Sequence, residues 1–398
     1  MAEQTKDNTE LNRTLTVPIL VSMAMYFGFY MAYGTYQPFI NLYFERLGLS
    51  AVQIGTLTAI PVLIITIFGM AWASLADARH WHRTILRISL LVCAGAVFLL
   101  PNADSFLAII PFIVIYAFFI TPIVPLLDSS ALESVENSSH SYGELRLWGS
   151  VGWAISTVLV GILIQKYNIY WLFYCYVVLT LLTFSFSLFQ PKRKHVLKTS
   201  VWSGLKDLLG KPSFLLFLLS ILFAAMTLSG SSSFLSIFLD SIGTNESSIG
   251  LAWSIASLSE IPIMLFSGKI MQRIGSKGLL TVAFVTFIIR WFLMSTVTVP
   301  VFALMLQLLH GLTFAAFLTG SVTYINARTP KGLKTTAQSV FNIITFGIGS
   351  IFGSLLSGYI VEYGGMAWLF RSLSAIAALG FILFLISQRS SVEELAYR

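Results

Sequence analysis

Long apolar runs separated by short polar connections occupy most of the chain. They fall at 15–44, 50–76, 83–101, 105–131, 142–165, 168–190, 212–239, 246–271, 278–298, 300–326, 334–361 and 366–387. A helix needs about 20 apolar residues to cross the hydrocarbon of a bilayer, so the pattern predicts twelve membrane-spanning helices. The longest internal polar interruption, 191–211, lies centrally and parts the runs into two sets of six. The predicted organisation is therefore an N-terminal bundle at 1–190, a central loop at 191–211 and a C-terminal bundle at 212–398. Within that loop Val201 to Leu209 reads either as a short amphipathic piece along the membrane surface or as a solvated connector.

Composition agrees with the pattern. Of 398 residues, 56% are hydrophobic and 10% charged, against about 25% charged in soluble globular domains. Met1 to Arg13 is polar and the run after it is long enough to span, so no cleavable signal is expected. Cys93 and Cys175, the two cysteines, lie inside apolar runs and imply no disulfide framework. The net charge of +7 invites a nucleic-acid reading, but the positions of the charges answer it. With the N-terminus inside, nineteen Lys and Arg residues fall on cytoplasmic segments, and only Arg46 and Lys166 on external ones. That is the positive-inside bias of a membrane protein with both termini in the cytoplasm, and it leaves no basic domain for nucleic acid.

The two sets of six repeat. Ile54-Gly55 opens the second run, and Ile249-Gly250 opens the eighth. GILIQKYNIYWLF from Gly161 matches GYIVEYGGMAWLF from Gly358. The offsets are 195 and 197 residues, about half the chain. Repeated bundles suit a carrier working by alternating access to a site between them. Pro38, Pro61, Pro111, Pro122, Pro125 and Pro262 are tolerated in spans where neighbours satisfy the freed carbonyls. Small residues from 347 to 358 give the eleventh run a face that another helix can approach closely.

Ionisable residues inside a span are costly and face a partner or a cavity. Asp128 and Arg146 lie nine residues either side of the turn between the fourth and fifth runs. At 1.5 Å rise per residue they reach the same depth, where they can pair with each other or grip hydroxyls or a carboxylate of a solute. Ser150, Trp153 and Thr157 continue the helix face of Arg146, a hydroxyl and a ring surface in one column. Ser141 and Glu144 have capping-box spacing and mark a helix start. Glu260 near the middle of the eighth run, Arg290 in the ninth and His310 in the tenth form a second set, able to load and release a proton. Gln37 and Asn41 in the first run, and Gln338 and Asn342 in the eleventh, are four apart and supply further polar contacts. Tyr26, Tyr30 and Tyr33 line another stripe of the first helix.

Two loops carry ASLADAR at Ala73 to Arg79 and GKIMQRIG at Gly268 to Gly275, degenerate forms of G-x-L-A-D-x-x-G. With two sets of six spans, the chain resembles the major facilitator superfamily. The stretch YGELRLWGSVGWAISTVLVGI from Tyr142 is similar to the fifth helix of its lactose:proton symporter branch. That resemblance implies an all-α membrane protein of major facilitator fold, with solute held by Asp128, Arg146 and Trp153 and a coupling arginine and histidine at Arg290 and His310. It also makes Asp77, Arg79 and Arg273 the conformational gating residues of the loops. Thr313 stands where that branch has its protonating carboxylate, and Glu260 lies one turn beyond the aligned eighth-helix acid, near Ser257. The S-E-I-P of Ser259 to Pro262 and the L-H-G of Leu309 to Gly311 look more like phenylpropionate and nucleoside permease relatives.

These readings predict a non-enzymatic, proton-coupled importer of a small polar solute, most simply a sugar, acting as a monomer in the inner (cytoplasmic) membrane. Asp128, Arg146, Ser150, Trp153, Gln37, Asn41 and Asn342 would bind the solute; Glu260, Arg290 and His310 would couple the proton. The alternatives are an aromatic acid or a nucleoside as cargo, a drug exporter, and a non-transporting sensor. Arginines in the cavity would repel the lipophilic cations of an exporter. No phosphate-binding loop appears, and the proton is the only coupling partner expected, with no metal and no cofactor.

Overall fold

The computed structural model describes residues 2–136, 138, 140–190, 212–329 and 333–396; the expected central loop 191–211 lies outside them. All regular secondary structure among the described residues is helical. In chain order the helices are α1 (Ala2–Tyr36), α2 (Ile40–Arg46), α3 (Ala51–Arg79), α4 (His82–Leu99), α5 (Phe106–Ile120), α6 (Ile123–Val135), α7 (Tyr142–Lys166) and α8 (Trp171–Ser187). There follow α9 (Pro212–Ser241), α10 (Glu246–Met294), α11 (Pro300–Gln307), α12 (Ala316–Arg328), α13 (Lys334–Asn342) and α14 (Gly349–Ala396). Two π-turns, Gly311–Ala315 and Ile343–Ile348, join α11 to α12 and α13 to α14.

Nine helices among the described residues are long and apolar enough to cross a bilayer, and Trp171–Ser187 is a shorter apolar one. Two are double. Glu246–Met294 and Thr336–Arg389 run 49 and 54 residues, and each is broken by a glycine in the left-handed region, Gly275 at φ 69° and Gly365 at φ 79°. A residue with a Cβ is strained there, so these glycines end one helix and start the next. Prolines break other runs without ending them. α1 and α2 are parted at Gln37–Phe39 around Pro38, and α5 and α6 at Thr121–Pro122, since proline removes one backbone donor and clashes with the preceding turn.

The internal repeat is written into the backbone. Left-handed residues recur at Gly48 and Gly243, and at His80 and Gly275, each pair 195 residues apart. That is the offset at which the loop motifs repeat.

The chain forms two compact units, Met1–Tyr43 with Ile64–Leu197, and Phe44–Leu63 with Lys198–Arg398. In the first, α1 packs on α7: a Cβ on Gly152 would come 2.5 Å from the Phe27 carbonyl oxygen, and one on Gly149 would come 2.7 Å from the Tyr30 ring. In the second, α9 packs on α14 in the same way, with Gly349 against Ala225 and the Ser229 hydroxyl donating to the Ser350 carbonyl at 2.9 Å. Helices in lipid associate through such close approaches, because no hydrophobic gain separates helix from acyl chain. Phe44–Leu63 joins the second unit through Gly55, which faces the Ser354 carbonyl. Arg46 adds ion pairs to Asp240 and Glu246 at 2.7 and 2.9 Å. These pairs are a third exposed on the arginine side, where each contributes about 1 kcal/mol or less.

Candidate functional site

In the first unit α7 begins where the capping box predicts. Ser141 is the N-cap, and its hydroxyl accepts the Glu144 amide at 3.3 Å. One turn on, Arg146 meets Asp128 of α6 at 3.0 Å, the pairing that equal depth predicts. Two tyrosines complete the group. Tyr26 of α1, fully buried, donates to the same Asp128 Oδ1 at 2.6 Å, and Arg146 donates to the Tyr142 hydroxyl at 3.0 Å. The Tyr26 and Tyr30 rings stack at 6.3 Å. Close packing of α1 on α7 at Gly149 and Gly152 is what brings this tyrosine stripe to the ion pair.

The α7 column closes as it descends. Arg146 is exposed, Ser150 and Trp153 are half-buried, and Thr157 is buried. Trp153 lies beside Tyr33, with ring centroids 5.5 Å apart. Leu147, Trp148, Ile155 and Leu159 point elsewhere and are exposed, as expected of residues facing lipid. The column therefore forms a stripe with charge at its open end and aromatic rings deeper down. Asp128 and Arg146 retain access, with side chains 31% and 47% exposed, and can exchange part of their mutual contact for solute hydroxyls.

The amide residues gather less closely. Gln37 and Asn41 stand on opposite sides of the break at Pro38, so they do not share one helix face. Gln37 Oε1 is buried with no hydrogen-bond partner among the described residues, whereas Asn41 is buried. Asn342 is exposed at the end of α13.

The second unit assembles the other set around Arg290, which is 2% exposed. Its guanidinium donates to Gln307 Oε1 at 2.7 Å, Thr313 Oγ1 at 2.8 Å and His310 Nδ1 at 3.0 Å, and lies 4.6 Å from the Trp291 ring centroid. A guanidinium only donates. His310 Nδ1 must therefore accept, which puts the imidazole proton on Nε2. That nitrogen faces Glu260 Oε1 at 3.4 Å. The result is a directed chain from arginine through neutral imidazole to carboxylate. His310 also stacks on Phe314 at 5.7 Å. Thr313, at the position where the resembled branch has its acid, is one of the neutral acceptors that hold Arg290.

The loop residues do not form one group. Asp77 pairs with His82 at 2.9 Å, the Arg79 guanidinium lies 5.7 Å from the Trp81 ring centroid, and Arg273 is exposed two residues before the Gly275 break.

Tyr142 and Gln307 are site residues that the sequence reading does not single out, and Tyr26 appears there only as part of a tyrosine stripe, not as a partner of Asp128. Tyr142, four residues before Arg146 on one helix, carries a local signal.

Charged side chains so deep in apolar helices persist where a solute or ion has to pass, and the helical architecture is that of the major facilitator transporters. The chain belongs to the MFS_1 like family, whose profile matches residues 20–372. It is 25% identical over 368 residues to the maltose permease of Geobacillus stearothermophilus, covering 92% of this chain and 93% of that one. It is 24% identical over 353 residues to the probable 3-phenylpropionic acid transporter of Escherichia coli, covering 85% and 90%. The crystal structure of the nucleoside transporter NupG superimposes with a TM-score of 0.79 at 19% identity, covering 93% of this chain and 98% of that one. The protein is a multi-pass membrane transporter and not an enzyme.

Proposed function

We propose that this transporter imports a neutral, hydroxyl-rich solute, a sugar, together with a proton. The observation that carries this reading is the Asp128–Arg146 pair with Tyr26 on the same carboxylate oxygen. Because Arg146 is already answered by a carboxylate, an anionic solute would have to displace Asp128 and leave it unpaired. A neutral polyol gains hydrogen bonds from both groups with no net charge to desolvate. Ser150 and the Trp153 ring offer a further hydroxyl and an apolar face below. Similarity to a maltose permease supports the same cargo class.

Glu260 is the proton carrier in this reading, with His310 and Arg290 arranged behind it. Inward movement of a proton is favoured by about 2.3 kcal/mol per 100 mV of membrane potential, and alternating access makes solute flow depend on it. The glycine breaks in α10 and α14 and the positive-inside bias support twelve spans with both termini in the cytoplasm. The chain works as a monomer in the inner membrane, without metal or cofactor. A second reading, an aromatic acid as cargo, is favoured by Arg290, whose hydrogen-bond partners among the described residues are all neutral.

The test is a thermal-shift screen of the purified protein against maltose, lactose, uridine and phenylpropionate, repeated on Arg146→Ala, followed by uptake into proteoliposomes under an imposed pH gradient. Sugar stabilisation that vanishes in the variant, with uptake that follows the gradient, is the expected result. Stabilisation by phenylpropionate alone selects the second reading, and uptake indifferent to the gradient removes proton coupling.

A further inference from the structure

The polar cluster of the second unit sits on a defect in the tenth run. In a continuous α-helix the Gly311 amide would bond to the Gln307 carbonyl. Here it donates to the Ser259 hydroxyl of α10 at 2.9 Å, and that hydroxyl donates in turn to the Ala256 carbonyl at 2.6 Å. The Ser259 oxygen lies 3.5 Å from the Gln307 carbonyl oxygen, so it stands in the gap of the ladder. A side chain inserted into the ladder is a recognised cause of a helix break. A Cβ on Gly311 would fall on the Ser259 carbonyl oxygen, so the two backbones touch where the hydroxyl inserts.

The break has a geometric consequence. Before it, the Leu308 and Leu309 amides bond three residues back, to Met305 and Leu306, at 3.1 and 3.2 Å. These two bonds tighten 305–308 and 306–309 into 3₁₀ turns just ahead of His310. Gln307 and His310 are three apart, and one guanidinium reaches both, at 2.7 and 3.0 Å. Ser259 is also the residue before Glu260, so a single backbone contact sets the turn that carries His310 and the carboxylate that His310 faces.

We infer that Ser259 is a positioning residue of the proton-handling cluster. By taking the Gly311 amide it holds the tightened turn that lines up Gln307 and His310 on Arg290, and so keeps the His310 Nε2 proton aimed at Glu260. The charged and titratable groups of the cluster are Glu260 and Arg290 from α10 and His310 from the turn. Its functional meaning rests on the proton-coupled reading above; its geometry does not.

Two measurements separate these levels. Nitrogen-15 histidine NMR of the full chain, with the His310 signal assigned by its loss in His310→Gln, reads the tautomer without any solute. The wild type is expected to hold the Nε2–H form across pH 6–8. Ser259→Ala is expected to mix tautomers or titrate, and Ser259→Thr, which keeps the hydroxyl, to return the wild-type signal. An unchanged His310 signal in Ser259→Ala overturns the inference, as does a Ser259→Thr signal that matches the alanine variant. The second measurement is gradient-driven uptake of labelled maltose, expected to fall about tenfold or more in Ser259→Ala, the scale of one lost buried hydrogen bond. Where the wild-type protein responds to the gradient, an equal response in Ser259→Ala also overturns the inference. Should the tautomer respond while wild-type uptake ignores the gradient, the coupling reading fails and the positioning role stands.

Discussion

Tyr26 and Arg146 share one oxygen of Asp128: the tyrosine hydroxyl reaches Oδ1 at 2.6 Å and the guanidinium reaches it at 3.0 Å. The hydroxyl comes from a buried ring on α1, so it fixes where the carboxylate points while Arg146 stays free to adjust. Tyr26→Phe removes this bond and little volume. Solute KM is expected to rise about tenfold to a hundredfold, the scale of one hydrogen bond to a charged group, with the maximal rate changed by less. Initial-rate uptake over a range of solute concentrations checks it, and an unchanged KM would show that the hydroxyl does not orient the site.

The same geometry predicts a different result at Arg146 itself. Lysine keeps the charge but loses the planar fork that meets Asp128, Tyr142 and a solute together. Arg146→Lys is expected to weaken solute binding by about tenfold or more, read as loss of ligand-induced thermal stabilisation. Asp128→Asn should weaken it comparably. Because the two groups touch, the double variant should fall well short of the summed losses.

The same group separates what is legible in the sequence from what only the packing decides. Asp128 and Arg146 flank one short connection, so counting the helical rise back from the turn brings them to equal depth. Tyr26 lies 102 positions from Asp128, and only the packing of α1 on α7 through Gly149 and Gly152 decides that its stripe meets the ion pair. Helix starts at Tyr142, Pro212, Glu246, Pro300 and Lys334 coincide with the predicted spans, because a polar-to-apolar step there is a local signal. The interruptions at Pro38 and Pro122 have visible causes, although proline alone does not say whether a span bends or divides. The break before His310 leaves no trace nearby, since the serine that makes it sits on another helix.

His310 accepts from Arg290 and donates toward Glu260, so its role in the cluster needs one acceptor and one donor and no change of charge. Glutamine offers both. His310→Gln is expected to keep gradient-driven uptake within about threefold of wild type, whereas His310→Ala, which leaves a buried arginine donor unanswered, should lose about tenfold or more. Glu260→Gln should abolish the gradient response while leaving equal-pH solute exchange. Equal losses in His310→Gln and Glu260→Gln would mean that the imidazole itself carries the proton.

Glycines of the same composition class should behave oppositely according to what they face. Gly95, inside α4, has open space where a Cβ would go. Gly95→Ala is therefore expected to hold or raise stability, since alanine is favoured over glycine within a helix by about 0.5–1 kcal/mol. At Gly152 the added carbon would meet the Phe27 carbonyl oxygen at 2.5 Å, backbone against backbone with no flexible side chain to yield. Gly152→Ala must push α7 off α1, opening the packing that presents Tyr26 to Asp128. It should lower the thermal midpoint and raise solute KM together, whereas a purely local defect would lower the midpoint alone. Midpoints in detergent and KM values measured on the same preparations distinguish the two.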